Sequence, residues 1–196
     1  MRCLVFALDG LEYDLVVKWK LKHLLQRKYG KIEISEDYYY MSPHGEFVPY
    51  TPTIWASFLT GLPPSKHKVK SLWTYGRILD FIRRLPVISW IKNKRKILYK
   101  LGILEPKIVS KDTLNVKTIF DVVKPSIAVR MIAYNDDTEQ WRKRSRAMLF
   151  EGLEKYEELV WEDHRLREKE FFSNLHKDWK LLMVYFRLAD ELGHIY

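Results

Sequence analysis

Cysteine is nearly absent from the sequence and long apolar runs are missing, and both features narrow the class of protein. Cys3 is the single cysteine, so the chain cannot form an internal disulfide framework, and a reducing compartment is favoured. No stretch reaches the length of a membrane span, and the first residues lack the basic, apolar and small-residue order of a signal peptide. We therefore predict a cytoplasmic protein in which Cys3 is a small buried apolar residue.

Acidic residues are also few relative to basic ones. The chain has 34 Lys and Arg against 25 Asp and Glu, which gives a formal net charge of +9. A basic excess of this size favours anionic partners. Because 47% of the 196 residues are hydrophobic, the composition excludes a disordered chain and suits one domain with a substantial core.

Apolar runs of strand length alternate with helical patterns along much of the sequence. The runs that suit buried strands are residues 3–8, 127–133 and 181–186. Apolar residues recur at helical spacing over residues 12–29 and 136–175, and residues 31–35 alternate as in a strand. Strand, helix and strand in succession predict an α/β domain with a mostly parallel sheet and helices on both faces.

A hydroxyl stands at the start of a short predicted helix. Thr51 is a suitable N-cap, Pro52 suits the first turn, and Gly61 ends the helix. The N–H groups and dipole at such a helix start favour a phosphate or sulfate ester beside the Thr51 hydroxyl. The hydroxyls of Ser57 and Thr60 lie deeper in the helix, where such groups more commonly bond to its backbone.

Carboxylates follow the first and the last predicted strands. Asp9-Gly10 comes directly after residues 3–8, and Asp190 and His194 follow residues 181–186. A carboxylate at the carboxyl end of a parallel strand lies where ligands bind. Because Asp190 and His194 are four residues apart, one helical turn can direct both at a single metal ion.

These segments, in this order, resemble the alkaline phosphatase superfamily, and most closely its type I phosphodiesterase and nucleotide pyrophosphatase branch, which includes short archaeal members. That family has an Asp-Gly after the first strand, a Thr shortly before a Thr-Gly and a Pro-x-x-His, and a later Asp-x-x-Gly-His. The matching positions are Asp9-Gly10, Thr51, Thr60-Gly61, Pro64 to His67 and Asp190 to His194. The resemblance covers both ends of the chain, while residues 70–175 add little to it.

The resemblance implies a metal-dependent hydrolase of phosphate esters, with phosphodiesters or nucleotide-like compounds as substrates. It implies two divalent metal ions, Zn²⁺ or Mn²⁺, one bound by Asp9 and Thr51 and the other by Asp190 and His194. Thr51 would be the nucleophile, forming a phosphoryl-enzyme intermediate that water resolves. A nearby cation favours ionisation of the hydroxyl, which a Thr nucleophile needs at neutral pH.

The sequence departs from the family pattern at three places. The family has an Asp-His pair and a third His beyond the Asp-x-x-Gly-His, whereas this sequence stops at Tyr196, so we expect a chain that is incomplete at its C-terminal end. Pro52 has no N–H, which leaves the N–H groups of Thr53 and Ile54 as the predicted substrate-binding donors. Lys68 stands where the family has Gly after the His.

Basic and aromatic residues are concentrated in residues 83–100. Such a stretch can lie on an anionic membrane surface, which would make the protein peripheral to the membrane, or follow a nucleic-acid backbone. We favour a third interpretation, a cap inserted at about residues 68–114 within one domain of residues 1–196. The competing functional hypothesis is a non-catalytic remnant or binding protein that holds anionic lipid or nucleic acid through this stretch.

Other polar residues have weaker functional interpretations. His44 precedes Thr51 closely and either reaches the site or is solvated. Asp136 and Asp137 follow a predicted strand and suit a helix N-cap, with substrate or metal contact as the alternative. Charged residues within 142–146 and 151–167 indicate solvated helix faces. Glu191 either supports the site as an acid behind the metal ligands or is exposed, and we predict that it is exposed.

Overall fold

The computed structural model describes residues 1–41, 45–74 and 107–196. The elements within these ranges are, in chain order, β1 (Cys3–Leu8), α1 (Tyr13–Lys18), a 3-10 turn (Glu36–Tyr38), β2 (Tyr39–Met41), β3 (Phe47–Pro49), α2 (Thr51–Thr60), α3 (Pro64–His67), β4 (Trp73–Thr74), β5 (Lys107–Ile108), α4 (Lys111–Leu114), α5 (Ile119–Val122), β6 (Ser126–Val129), α6 (Thr138–Arg146), a π-helical turn (Ala147–Glu151), α7 (Leu153–Asn174), β7 (Leu181–Phe186) and α8 (Leu188–Gly193).

A parallel three-stranded sheet forms the centre of the fold, with the strand order β1-β7-β6. In its register, Leu181 of β7 lies opposite both Cys3 of β1 and Ser126 of β6. Parallel neighbours need long crossover connections, which the helical segments between these strands provide. The predicted α/β class with a mostly parallel sheet is confirmed, and the last strand has the predicted bounds.

Helices cover both faces of this sheet. Leu182 and Val184 pack with Phe171 of α7 on one face, whereas Met183 and Tyr185 pack with Leu59 of α2 on the other. Alternate side chains of β7 therefore enter two different cores. This explains why a strand at the centre of a parallel sheet has a continuous apolar sequence.

The first strand is less buried than its apolar sequence predicts. Within the described residues β1 pairs on one side only, with β7, and Leu4 and Phe6 are 40% and 49% exposed. Cys3 is exposed as well, so the predictions of a buried first strand and a buried Cys3 are wrong. Whether a strand lies at an edge or in the centre of a sheet decides its burial, and a short apolar run does not encode that position.

The segment between β1 and β2 is less regular than its sequence pattern predicts. Helix α1 ends at Lys18, and Lys20 adopts a left-handed conformation with φ of 53°, which interrupts the helix predicted over residues 12–29. Residues 31–35 form no strand. Alternation produces a strand only where a neighbouring strand supplies hydrogen bonds.

Strands β4 and β5 form an antiparallel ribbon in which Trp73 pairs with Ile108. The flanks of residues 75–106 are therefore adjacent. Those residues, including the basic stretch 83–100, lie outside the described part of the chain, and so does His44. The cap insertion consequently stays a prediction. Within the described ranges, no helix combines the length and apolar character that a membrane crossing requires.

Candidate functional site

A cavity lies at the carboxyl ends of β1 and β7. It has a volume of about 640 Å³, and Asp9, Thr51, Asp190 and His194 all line it. These residues come from three separate places in the fold, namely the end of β1, the start of α2 and helix α8 with its C-cap. This edge of a parallel sheet is where α/β proteins bind ligands. Aromatic side chains form much of the remaining wall: Tyr40, Tyr50, Trp141, Tyr156 and Tyr185.

Gly10 allows the end of β1 to meet helix α8. Its φ is 67°, and a Cβ at this position would lie 2.5 Å from both the Cα and the N of Asp190. Only glycine permits two backbones to approach so closely. The Asp9-Gly10 pair therefore places a carboxylate in the cavity and at the same time leaves room for the residue that brings the second carboxylate.

A donor from the central strand holds the carboxylate of Asp9. The hydroxyl of Tyr185 donates to Asp9 Oδ2 at 2.5 Å. Burial nevertheless raises the pKa of Asp9 above its ordinary value, and the polar groups around the carboxylate, from Tyr185, Trp55 and Gly10, only partly oppose that effect. A buried carboxylate in this state gains stability from a neighbouring cation.

Asp190 and His194 form the second polar pair of the cavity. Nε2 of His194 lies 3.6 Å from Oδ1 of Asp190, as expected for residues four apart on one turn. Burial, followed by the nearby charge of Asp9, raises the pKa of Asp190 to about 6. A buried carboxyl group whose ionisation is opposed by a second carboxylate creates a place where a cation is favoured.

We expect Asp190→Asn to stabilise the metal-free protein at pH 8. The pKa of Asp190 is raised from 3.8 to about 6 in the folded state, so ionising this carboxyl group lowers the stability of the fold. One pKa unit corresponds to about 1.4 kcal/mol. Because the side chain of Asp190 is 32% exposed, solvent screening reduces the expected gain to roughly 1–2 kcal/mol.

Urea unfolding in the presence of a chelator, from about pH 4 to about pH 8, measures this gain. The stability contributed by the protonated Asp190 is fully present below about pH 4 and is lost as the pH rises through about 6. Wild type and Asp190→Asn should therefore be similar at about pH 4, diverge as the pH rises from about 4 to about 6, and differ by a constant amount above that. If the unfolding free energies of the two proteins differed by the same amount at every pH, the raised pKa of Asp190 would not be the cause of the difference.

Thr51 occupies the first position of α2, one residue beyond the N-cap. Tyr50 is the N-cap residue, and its carbonyl accepts hydrogen bonds from the N–H groups of Thr53 and Ile54 at 3.0 and 3.1 Å. The structure thus differs from the expectation that these two N–H groups face the substrate, because the first bonds of the helix already use them. The Thr53 hydroxyl also points away from the cavity and donates to the Val69 carbonyl at 2.9 Å.

Ser57 and His67 form a pair that looks like a catalytic dyad but has the wrong tautomer. Ser57 Oγ lies 2.8 Å from His67 Nε2, while the N–H of Val69 donates to His67 Nδ1 at 3.0 Å. The proton of a neutral ring is then on Nε2, which donates to Ser57 and cannot accept its proton. Burial lowers the pKa of His67 and so favours this neutral ring.

Lys68, which stands where the family has Gly, has a φ of 59°. This is a left-handed backbone conformation that suits Gly.

A buried ionic cluster adjoins the cavity, and one of its members, Glu191, lines it. Its six side chains are each at most 6% exposed: Asp136, Arg144, Asp163, Arg167, Arg187 and Glu191. Arg167 pairs with Asp136 at 2.5 Å and with Asp163 at 2.7 Å, and Arg187 contacts the same two carboxylates at 3.0 Å. Three positive and three negative charges are balanced, which offsets much of the cost of burying them.

The ionic cluster fixes the helix that carries Asp190. Arg187 directly precedes α8 and lies over the ring of Trp141 at 4.0 Å. Glu191, on α8, lies 3.1 Å from Arg187 and 3.3 Å from Arg144, and Tyr156 donates a hydrogen bond to it. Glu191 is 5% exposed, so the prediction that it is exposed is wrong.

Two helix segments that we predicted to be solvated contribute to the ionic cluster. Arg144 on α6 and Asp163 and Arg167 on α7 are buried, because each faces charged partners from other elements rather than water. Sequence reasoning missed them. The only available signal was the i,i+4 spacing of Asp163 with Arg167, which is equally common on solvated helices.

The sequence left open whether Asp136 and Asp137 cap a helix or contact a ligand, and the structure gives the two residues different roles. Asp137 is the N-cap of α6 and accepts the N–H of Glu139 at 2.8 Å. Asp136 belongs to the ionic cluster and also accepts a hydrogen bond from Trp141 Nε1 at 2.7 Å. Neither residue lines the cavity.

The order of the motifs and this geometry agree with a comparison against known families. Residues 3–196 match the family model described as type I phosphodiesterase / nucleotide pyrophosphatase. The chain belongs to this family. Type I phosphodiesterases are hydrolases of phosphate esters with an alkaline phosphatase-like core, in agreement with the sheet and helices described above. No significant match was found to a curated protein or to a solved structure.

Proposed function

We propose that this type I phosphodiesterase family member hydrolyses phosphodiesters or nucleotide-like esters, with Thr51 as nucleophile and divalent metal ions bound beside it. Hydrolysis of phosphate esters is the chemistry of the family. The observation that carries the finer proposal is the single cavity shared by Thr51, Asp9, Asp190 and His194. A hydroxyl at a helix start next to carboxylate and imidazole donors suits metal-assisted attack on phosphorus.

The charges around the cavity fit cations better than a bare phosphate. Four lining residues are acidic, namely Asp9, Glu46, Asp190 and Glu191, and no Lys or Arg is among the described residues that line it. Such walls would repel an anionic ester unless cations were bound first. Carboxylate and imidazole donors suit Zn²⁺ or Mn²⁺.

We propose that Asp9 and Thr51 bind one divalent ion and that Asp190 and His194 bind a second. Bound ions of this kind stabilise negative charge on the reacting oxygens and favour ionisation of a coordinated hydroxyl. No three His, Cys, Asp or Glu side chains within the described ranges are arranged to hold one ion. Binding by the described residues alone should therefore be weak.

In the proposed reaction, Oγ1 of Thr51 attacks the phosphorus atom, and the bond from phosphorus to the leaving oxygen breaks. The leaving group takes up a proton, and Thr51 carries the phosphoryl group. Water then attacks the same phosphorus, the bond to Oγ1 breaks, and the Thr51 hydroxyl regains its proton. Since the N–H groups of Thr53 and Ile54 donate to Tyr50, other groups must stabilise charge on the phosphoryl oxygens.

Thr51→Ala should reduce hydrolysis to the uncatalysed rate, because it removes the attacking oxygen. We expect wild type to cleave bis-p-nitrophenyl phosphate slowly in the presence of Mn²⁺ or Zn²⁺ and to stop when a chelator is added. Thr60→Ala is the matched control, since the Thr60 hydroxyl lies on the same helix and donates to the carbonyl of Ala56 at 2.7 Å. Mass spectrometry of quenched reactions should locate the covalent adduct on Thr51.

Equal rates for wild type and Thr51→Ala, or an adduct on another residue, would reject Thr51 as the nucleophile. Absence of any metal-dependent hydrolysis by wild type would favour the alternative of a binding protein. Contact of residues 83–100 with anionic lipid or nucleic acid stays a prediction, because that stretch lies outside the described residues. The cytoplasmic location of the protein also stays a prediction.

A further inference from the structure

Tyr185 and Trp55 surround the carboxylate of Asp9, although no motif in the sequence includes them. Tyr185 lies on the central strand β7, opposite Ala7 of β1, and is 1% exposed. Trp55 lies on α2. The two rings meet edge to face with their centroids 5.5 Å apart. The two side chains thus pack against each other near the end of β1.

The hydroxyl of Tyr185 ends on Asp9. It donates to Asp9 Oδ2 at 2.5 Å, and the Trp55 ring packs against the ring that carries it. Packing in the core explains the ring of Tyr185, but it does not require a hydroxyl that ends on a cavity carboxylate.

Trp55 connects Tyr185 to the helix of the proposed nucleophile. Thr51 and Trp55 are four residues apart on α2 and therefore share one face of the helix. The edge-to-face contact of Trp55 with Tyr185 consequently joins the phenol that holds Asp9 to the helix that carries Thr51.

We propose that Tyr185, held by the ring of Trp55, is a positioning residue that sets the orientation of the Asp9 carboxylate relative to Thr51 in the cavity. This inference rests on the proposed function, in which Asp9 is a metal ligand. Partners that orient a ligand in this way typically change metal affinity or activity by about 10- to 100-fold when they are removed.

Tyr185→Phe tests the inference because it removes the hydroxyl and keeps the ring. We expect calorimetric titration with Mn²⁺ to show an affinity weakened by about 10- to 100-fold relative to wild type. Tyr134→Phe is the matched control, since Tyr134 packs against the same core cluster but does not line the cavity; its affinity should equal that of wild type. Trp55→Leu removes the ring that packs against Tyr185; it should also weaken binding, and it provides a second variant if Tyr185→Phe does not fold.

Crystal structures of the metal-free wild type and Tyr185→Phe supply a readout that needs no metal. The Asp9 side chain should change rotamer in the variant and keep its position in Tyr134→Phe. An unmoved Asp9 together with wild-type Mn²⁺ affinity would overturn the inference. If wild type binds no Mn²⁺, the proposed metal site fails, and the rotamer of Asp9 alone then decides whether Tyr185 positions it.

Discussion

Gly10→Ala is expected to destabilise the folded protein by about 2–5 kcal/mol. A left-handed φ costs a residue with a Cβ about 1–2 kcal/mol, and overpacking against neighbouring atoms adds about 1–3 kcal/mol. The clash is severe, because the added Cβ would lie 2.5 Å from two backbone atoms of Asp190, and relief requires a shift of α8. Urea unfolding measures the loss, and calorimetry with Mn²⁺ should show weaker binding because Asp190 is displaced.

Gly61→Ala separates the two contributions. Gly61 has the same φ of 67° as Gly10, but a Cβ there would meet no atom within 4 Å. Gly61→Ala should therefore show only the cost of the left-handed conformation, about 1–2 kcal/mol. Gly193→Ala, on α8 with open space around it, should be neutral or slightly stabilising. Equal losses for Gly10→Ala and Gly61→Ala would show that close contact with Asp190 is not the reason for Gly10.

Arg167→Met is expected to cost about 3–5 kcal/mol, the usual result of removing one partner from a buried ion pair. The Arg167 side chain is fully buried, and its loss leaves the carboxylates of Asp136 and Asp163 with one fewer partner each. It also removes the donor to the carbonyls of Arg130 and Tyr185, both at 2.8 Å. Methionine fills a similar volume, so the loss reports the charge and the hydrogen bonds rather than an empty cavity.

Arg146→Met is the control for this variant. Arg146 also belongs to a helical arginine-rich segment, but its side chain is 71% exposed and lies 3.3 Å from Glu151. An exposed pair of this kind contributes little, so the change should remain within about 0.5 kcal/mol. Chemical unfolding of both variants checks the comparison. A similar loss in both, or a loss below about 1 kcal/mol for Arg167→Met, would contradict a stabilising role of the ionic cluster.

Much of the location of the candidate site could be predicted, because its residues follow strand ends or begin a helix. Asp9 and Asp190 come after strands whose apolar sequences are evident, and parallel strands place their carboxyl ends at one edge. Thr51 begins a helix with clear start and stop signals. The expectation that the N–H groups of Thr53 and Ile54 face the substrate was wrong, because Tyr50 rather than Thr51 is the N-cap and its carbonyl accepts both. A shift of the N-cap by one residue is below what sequence signals resolve.

By itself the sequence determined the α/β class, the bounds of β7 and the motifs that end at one sheet edge, since these depend on local periodicity, caps and glycine. The tertiary structure alone decided the exposure of β1, the ionic cluster and the hydrogen bond from Tyr185 to Asp9. Arg167 and Asp136 are 31 residues apart, and Tyr185 and Asp9 are 176 apart. A charged or aromatic side chain has the same local pattern whether its partner is water or a buried carboxylate, so only the folded arrangement of distant segments reveals which one it meets.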